Sequence, residues 1–315
     1  MNTWDIKVEF NNRNHEQTTD IILVMDVFGS MPNNDRLKNT EIAAQAFIDK
    51  LLPNGTTKTR IALVTYSTTT SIANGFVNAT ERSSLNTRVE NLTANGGTNI
   101  QAGMRTARVL MQNSNADIKT IILLSDGDPT LIYAINNLDT ETDLVPFGHN
   151  EQFKETKRGI DLNKYSTNTL AGDGSTSFRS RCLYDSENDD NCDNKKSYYF
   201  NYANAALTES DAAKTGSKAA VVYTVALELT GDAGTFMKDM ASTPDHAFAT
   251  NSNDVDDVYA RIAGGISNIV SEGVIYDPIA LGFELVGDVT ISRGTSTVNN
   301  GLITWTIGQP NSDYF

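Results

Sequence analysis

A doubly wound α/β domain on a mostly parallel sheet, carrying a long insertion and joined to a small β-sandwich split between the termini, is the fold this 315-residue sequence predicts. Three observations carry the prediction. The runs IILVM at 21–25 and IILL at 121–124 are continuously apolar and stop at acid-containing turns, DVFGS and SDGDP. Such runs are strands buried on both faces, as at the centre of a parallel sheet. Amphipathic segments with helical spacing alternate with strands between residues 19 and 272, the order of βαβ units. Beyond 273, and again before 19, the texture changes to short alternating segments separated by Gly, Asn and Ser, which suits an antiparallel sandwich.

Within the terminal segments, Trp4, Ile6, Val8 and Phe10 alternate with Asp5, Lys7 and Glu9, the period of a half-buried strand. VIYDPI, FELVGDVTIS and LITWTIG supply the matching strands at the other end. The expected division is therefore residues 1–18 with 273–315 as one Ig-like sandwich, and 19–272 as the α/β domain. Inside that domain the regular pattern dissolves between about 131 and 199, where both cysteines and the acidic tract DSENDDNCDN lie. A structureless loop of that size is uncommon in a compact domain, so this stretch reads as an inserted arm with a fold of its own.

The core elements follow in order. After the first buried strand, DRLKNTEIAAQAFIDKLL predicts a helix, with Asp35 as its cap, Ile42, Ala46, Phe47 and Leu51 as its inner face, and Pro53, Asn54 and Gly55 as its stop. RIALVTYS is the next strand, and Asn74-Gly75 in SIANGFV suits a tight hairpin turn. Leu85, Val89 and Leu92 mark a short helix; TANGGTN is a glycine-rich loop leading into the helix IQAGMRTARVLMQ, with Thr98 at the junction. After the arm come a helix in YANAALTESDAAKTG, a buried strand in KAAVVYTVALEL, a helix in FMKDMAS, an edge strand in HAFAT and a last helix with Val255, Val258, Ile262, Ile266 and Ile269 inward.

Composition limits the partners. With 39% hydrophobic residues the chain has enough apolar material for real cores. A formal net charge of −14 disfavours nucleic acid and anionic membrane surfaces. The first residues lack the basic start and apolar core of a signal peptide, and no stretch is long enough to cross a bilayer, so the chain reads as a mature fragment. Only Cys182 and Cys192 occur, which leaves one local disulfide or two free thiols and excludes a four-cysteine zinc site.

The chemistry gathers where the strands end. In open α/β sheets ligands sit outside the carboxyl ends of the strands, and the residues expected there are Asp26, Ser30, Thr98 and Asp126. Two carboxylates and two hydroxyls, with no histidine or cysteine, are hard oxygen donors suited to Mg²⁺, Mn²⁺ or Ca²⁺ and not to zinc. DVFGSM after one buried strand, GGTN before a helix and LLSDGDP after another strand resemble the three loops of the von Willebrand factor type A family. The resemblance implies a metal-ion-dependent adhesion site in which Asp26, Ser30, Thr98 and Asp126 hold the ion and an acidic group of a partner protein completes it. Phe28 stands where the family has its first serine, so one oxygen is missing and a ring lies beside the ion. The long insertion and the split β domain are similar to the tip adhesins of sortase-assembled pili of Gram-positive bacteria. That similarity implies a virulence-associated, cell-surface protein displayed on a pilus and the cell wall, facing host matrix or cell-surface proteins and other pilus subunits.

Simpler roles compete. Ser and Asp are common before helices, so Asp26 and Ser30 singly would be read as capping residues. Asp254, Asp256 and Asp257 fall at the start of a helix, where the dipole favours negative charge. The tract 185–193 lacks the glycine and glutamate spacing of a calcium loop, and His15, His149 and His246 are scattered. Lys7, a conceivable isopeptide donor, lies on the polar face of its strand. The leading expectation is a non-enzymatic adhesion module. A structural pilus-tip domain with a dead metal site is the alternative. A Mg²⁺-dependent phosphatase is disfavoured because Phe28 replaces the second acid such enzymes carry and no G-x-S-x-G elbow exists.

Overall fold

The computed structural model describes residues 17–139, 141–147, 150–175, 177–180, 197–269, 274–279, 285, 289 and 295–306. The first strand, β1 (Thr19–Asp26), is buried along its whole length, as its apolar run Ile21–Met25 requires, with Asp20 paired to Arg60 and Ser114. Alternate side chains serve two cores. Ile21, Leu23 and Met25 face one apolar cluster, and Ile22 and Val24 face the other, the period-two consequence of a pleated strand.

The elements that follow are α1 (Arg36–Leu51), β2 (Thr59–Tyr66), β3 (Thr70–Val77), α2 (Arg82–Glu90), α3 (Ile100–Gln112) and β4 (Ile118–Ser125). The arm supplies β5 (Ile132–Ile135), β6 (Leu144–Phe147), β7 (Asn150–Thr156), β8 (Tyr165–Ala171), β9 (Arg179–Ser180) and β10 (Ser197–Asn201). The α/β pattern resumes with α4 (Tyr202–Ala213), β11 (Val221–Leu227), α5 (Gly231–Met240), β12 (Ala247–Thr250) and α6 (Val255–Ile269). Last come β13 (Val274–Pro278), β14 (Thr295–Asn299) and β15 (Leu302–Thr306).

The central sheet runs β12-β11-β4-β1-β2-β3, and every neighbouring pair is parallel except β2 with β3. The expected doubly wound, mostly parallel fold is therefore observed. Helices α1, α2 and α6 cover one face through Phe47, Ile48, Leu85, Val89, Tyr259 and Ile262. Helices α3, α4 and α5 cover the other through Met104, Ala107, Ala206 and Met237. The arm forms a β5–β8 pair and a four-stranded sheet ordered β6-β7-β10-β9. Its own small core, including Ile132, Ile160 and Tyr165, packs on Tyr202 and Ala205 of α4. The C-terminal strands make an antiparallel sheet in the order β13-β15-β14. The expected strand around Trp4, Lys7, both cysteines and the acidic tract 185–193 lie outside the described residues.

Three local expectations are corrected. Asp35 precedes α1 but adopts a left-handed conformation, φ 55°, and makes no side-chain cap. The inner face of α1 is Ala43, Ala44, Phe47, Ile48 and Leu51, whereas Ile42 and Ala46 point outward; two residues of the expected stripe were right and two were rotated off it. Asn74-Gly75 does not turn the hairpin, which reverses at 67–69. It lies inside β3 beside register shifts against β2, where an edge strand absorbs extra residues as bulges.

Gly103 shows how tightly α3 lies on the sheet. A Cβ there would meet Tyr66 Cδ1 at 2.7 Å and Val24 Cγ1 at 3.1 Å. The Tyr66 ring cannot swing away freely, because its hydroxyl donates to the Leu124 carbonyl at 2.9 Å. Alanine is the better helix former by about 1 kcal/mol, but overpacking a filled core costs about 1–3 kcal/mol. Gly103→Ala is therefore expected to lower the denaturant midpoint of unfolding, and an unchanged or raised midpoint would contradict this packing.

Candidate functional site at the carboxyl edge of the sheet

Parallel register sets the site. Met25 pairs with Leu124, Asp26 with Tyr66, and Ala226 with Ser125, so β1, β2, β4 and β11 end at one edge. Asp26 is the last residue of β1, Asp126 follows β4, and Glu228 follows β11. The sequence-predicted residues Asp26, Ser30, Thr98 and Asp126 are thus carried to the same edge by three loops.

Asp26 is fully buried. Its Oδ1 accepts the backbone N–H of Phe28 at 2.9 Å, and its Oδ2 lies 2.7 Å from the Ser125 hydroxyl. Burial, and then the charge of Asp126, push its pKa up from 3.8 to about 8, against the opposing pull of the Ser125 and Phe28 hydrogen bonds. Ser125 accommodates both protonation states. Its hydroxyl donates to the ionised carboxylate, or accepts from the protonated acid while donating to the Gly127 carbonyl at 3.2 Å.

Asp126 has a buried side chain. Its Oδ2 accepts from Ser30 Oγ at 2.6 Å and from Arg36 Nη1 at 3.0 Å. Its Oδ1 is buried with no hydrogen-bond partner among the described residues, and the same is true of Thr98 Oγ1. Thr98 is held rigidly, because its N–H donates to Thr130 Oγ1 and its carbonyl accepts from the Thr130 N–H, both at 2.9 Å. Measured from the position a Cβ would take on Gly127, Thr98 Oγ1 is 3.5 Å away and Phe28 Cδ1 3.8 Å. The Phe28 ring and the Thr98 hydroxyl thus both lie beside Gly127.

Leaving two oxygens buried and unpaired costs about 1–3 kcal/mol each. Two unpaired oxygens, one of them a carboxylate, within a set of hard donors fit a small divalent cation. The Arg36 contact on the other oxygen of Asp126 opposes such an ion, as do the proton that burial keeps on Asp26 and the Phe28 ring.

Arg36, Glu228 and Ser125 are the site residues the sequence did not reveal. Arg36 Nε and Nη2 both donate to Glu228 Oε2, at 2.8 and 2.6 Å, and these bonds hold Glu228 below the usual carboxylate range. Glu228 has φ 58°, a left-handed turn that aims the strand end back at α1. Ser252 reinforces it by donating its hydroxyl to the Asn34 carbonyl at 3.2 Å. A positive charge on the first turn of a helix opposes the dipole, and that local misfit was the only signal in the sequence.

Residues 21–128 match the von Willebrand factor type A domain model, and this span contains all four predicted site residues. The chain carries a von Willebrand factor type A domain. It is 28% identical over 365 residues to the minor fimbrium subunit Mfa5 of Porphyromonas gingivalis, an alignment covering 98% of this chain and 28% of that protein. The chain thus spans little more than a quarter of that relative. The crystal structure of the vWF domain of the type V pili tip protein Mfa5 superposes with a TM-score of 0.71 at 25% identity, covering 82% of this chain and 98% of that one. The open conformation of the pilus adhesin SpaC from Lactobacillus rhamnosus GG shares the fold, with a TM-score of 0.65 at 19% identity over 94% of this chain and 38% of that one. The type A domain is thus of the kind found in pilus tip proteins. Among the described residues no helix is long and apolar enough to cross a membrane.

The raised pKa of Asp26 makes a signed prediction. A group that holds its proton more tightly when folded adds no penalty below pH 3.8, and an increasing one as pH rises toward about 8. Asp26→Asn keeps the contacts, since its amide can face the Ser125 hydroxyl, but removes that penalty. In metal-free buffer the variant should gain thermal stability over the parent at pH 8 and gain little at pH 4.5. An equal shift at both pH values would contradict a buried, proton-holding Asp26.

Proposed function

We propose that this chain is a non-enzymatic adhesion module of a surface fibre, which docks an acidic group of a partner protein at the carboxyl edge of its type A domain through a divalent cation. Asp26, Ser30, Thr98 and Asp126 would hold the ion, Mg²⁺ or Mn²⁺ by the hardness of the donors, with Ca²⁺ as the larger alternative. The ion would supply an electrophilic anchor for a carboxylate. The observation that carries this reading is the pair of buried, unpaired oxygens, Thr98 Oγ1 and Asp126 Oδ1. The likeness to Mfa5 and SpaC supports display at a pilus tip outside the cell, with other pilus subunits and a host matrix or cell-surface protein as partners.

Phe28 weakens the site on this reading. Mg²⁺ demands near-octahedral geometry and keeps several waters, and a ring supplies no oxygen and displaces water. That observation favours a second reading, a structural tip or assembly domain whose metal site is silent. Catalysis has little support: Asp26, whose carboxyl pKa is pushed up by burial, touches the Ser125 hydroxyl and no histidine, and the relatives named above are pilus proteins.

Calorimetric titration of Mn²⁺ and Mg²⁺ into the parent, Phe28→Ser and Thr98→Ala separates these readings. The adhesion reading expects Phe28→Ser to bind Mn²⁺ roughly tenfold or more tightly than the parent, since it restores one ligand, and Thr98→Ala to bind more weakly than either. No binding by the parent with clear binding by Phe28→Ser means a silenced site and a structural role. No binding by either would sink cation-dependent adhesion altogether.

A further inference from the structure

Asp126 divides its two oxygens unequally. Oδ1 is buried and unpaired, while Oδ2 is shared by the Ser30 hydroxyl at 2.6 Å and Arg36 Nη1 at 3.0 Å. Arg36 is itself divided. Two of its nitrogens converge on Glu228 Oε2 and one reaches Asp126. Its side chain is only 17% exposed, so water does little to screen it. A guanidinium does not give up its proton in a protein, and the positive charge is permanent.

One cation thus spans carboxylates that leave the ends of two different strands, and its hold on them is lopsided. Giving up Asp126 costs Arg36 one hydrogen bond and leaves two, on a carboxylate that remains beside it. We infer that Arg36 is a tethered counter-cation of the site: it neutralises Asp126 when no metal ion is held, opposes the entry of one by like charge, and is retained by Glu228 when Asp126 turns to the metal. Glu228 is the residue that makes the exchange possible. Without it the guanidinium would have Asp126 as its sole acid partner, and nothing would hold it back from Oδ2 as a metal approached Oδ1. This inference rests on the reading of the four oxygens as a divalent-cation site.

The exchange is tested by Mn²⁺ titration and by thermal melting in EDTA, using the parent, Arg36→Gln, Arg36→Lys and Glu228→Gln, each with and without Phe28→Ser so that the ring cannot mask the result. Arg36→Gln should bind Mn²⁺ roughly tenfold more tightly than its own background, because a nearby like charge in a weakly screened site is removed. Arg36→Lys keeps the charge and should stay close to its parent. Glu228→Gln should bind more weakly, because the freed guanidinium settles on Asp126. In EDTA, Arg36→Gln should melt lower than its parent, and Mn²⁺ should raise its melting point by more than it raises the parent's. A purely structural Arg36 would move Arg36→Gln and Glu228→Gln in the same direction, and that result would overturn the inference. Binding by Phe28→Ser with no further change on adding Arg36→Gln would also remove the role of Arg36 while leaving the cation site standing. No binding by any chain would remove the cation site, and the exchange with it.

Discussion

Two carboxylates buried at the ends of adjacent parallel strands need something to answer their charge, and the loops of this edge are arranged around that need. Asp26 is fully buried and the Asp126 side chain is too. An unanswered buried charge costs several kcal/mol. The structure answers Asp26 by burial, which keeps a proton on it, and by Ser125, whose hydroxyl suits either state. It answers Asp126 with a hydroxyl from Ser30 and a guanidinium from Arg36. Ser30 comes from the connection between β1 and α1, Arg36 from the start of α1 and Ser125 from the end of β4, so the fold of those segments and the electrostatics of the edge are one problem. Removing one partner of a buried pair costs about 3–5 kcal/mol where the survivor is left unpaired; here Asp126 keeps Ser30 and Arg36 keeps Glu228, so the loss is smaller.

The sequence made the strand ends legible for a simple reason. A strand buried on both faces reads as a near-continuous apolar run, so IILVM followed by Asp26 and IILL followed by Ser125 and Asp126 locate both the sheet and its functional edge. Thr98 was legible because a glycine-rich loop must enter α3 there. Arg36 and Glu228 were not legible as partners. They are 192 residues apart, and their meeting depends on a left-handed residue at the end of β11 that a glutamate does not announce. The inner face of α1 was half legible because it carries apolar residues on adjoining faces, so that Ile42 and Ala46 compete with Ala43 and Ala44 in any periodic pattern. Asn74-Gly75 misled because the same pair that closes a hairpin also relieves an edge strand.

The arm bears on the site through backbone contact. A Cβ on Gly97 would meet Leu131 Cδ1 at 2.7 Å and Gly174 Cα at 3.1 Å, so the loop that carries Thr98 is in contact with two separate parts of the insertion. A glycine at 97 lets the arm close on this loop, and both backbone groups of Thr98 are anchored to Thr130 at the root of the arm. An insertion that only enlarged the surface would not need to touch that loop.

Phe28 and Arg36 reach different oxygens, yet they act in one direction. The ring and the Thr98 hydroxyl both lie beside Gly127, and the guanidinium sits on Asp126 Oδ2. A ring in place of a hydroxyl excludes water and lowers the local dielectric, which strengthens every charge interaction within reach. That change favours the Arg36–Asp126 pair, which carries its own hydrogen bonds, over a hydrated ion, which must bring waters into a space the ring has narrowed. On the proposed reading, then, Phe28 does more than delete a ligand. It shifts the competition for Asp126 toward the tethered cation, so the ring and the guanidinium together describe a site in which a dry ion pair and a wet metal ion are alternatives, and residue 28 sets the balance between them.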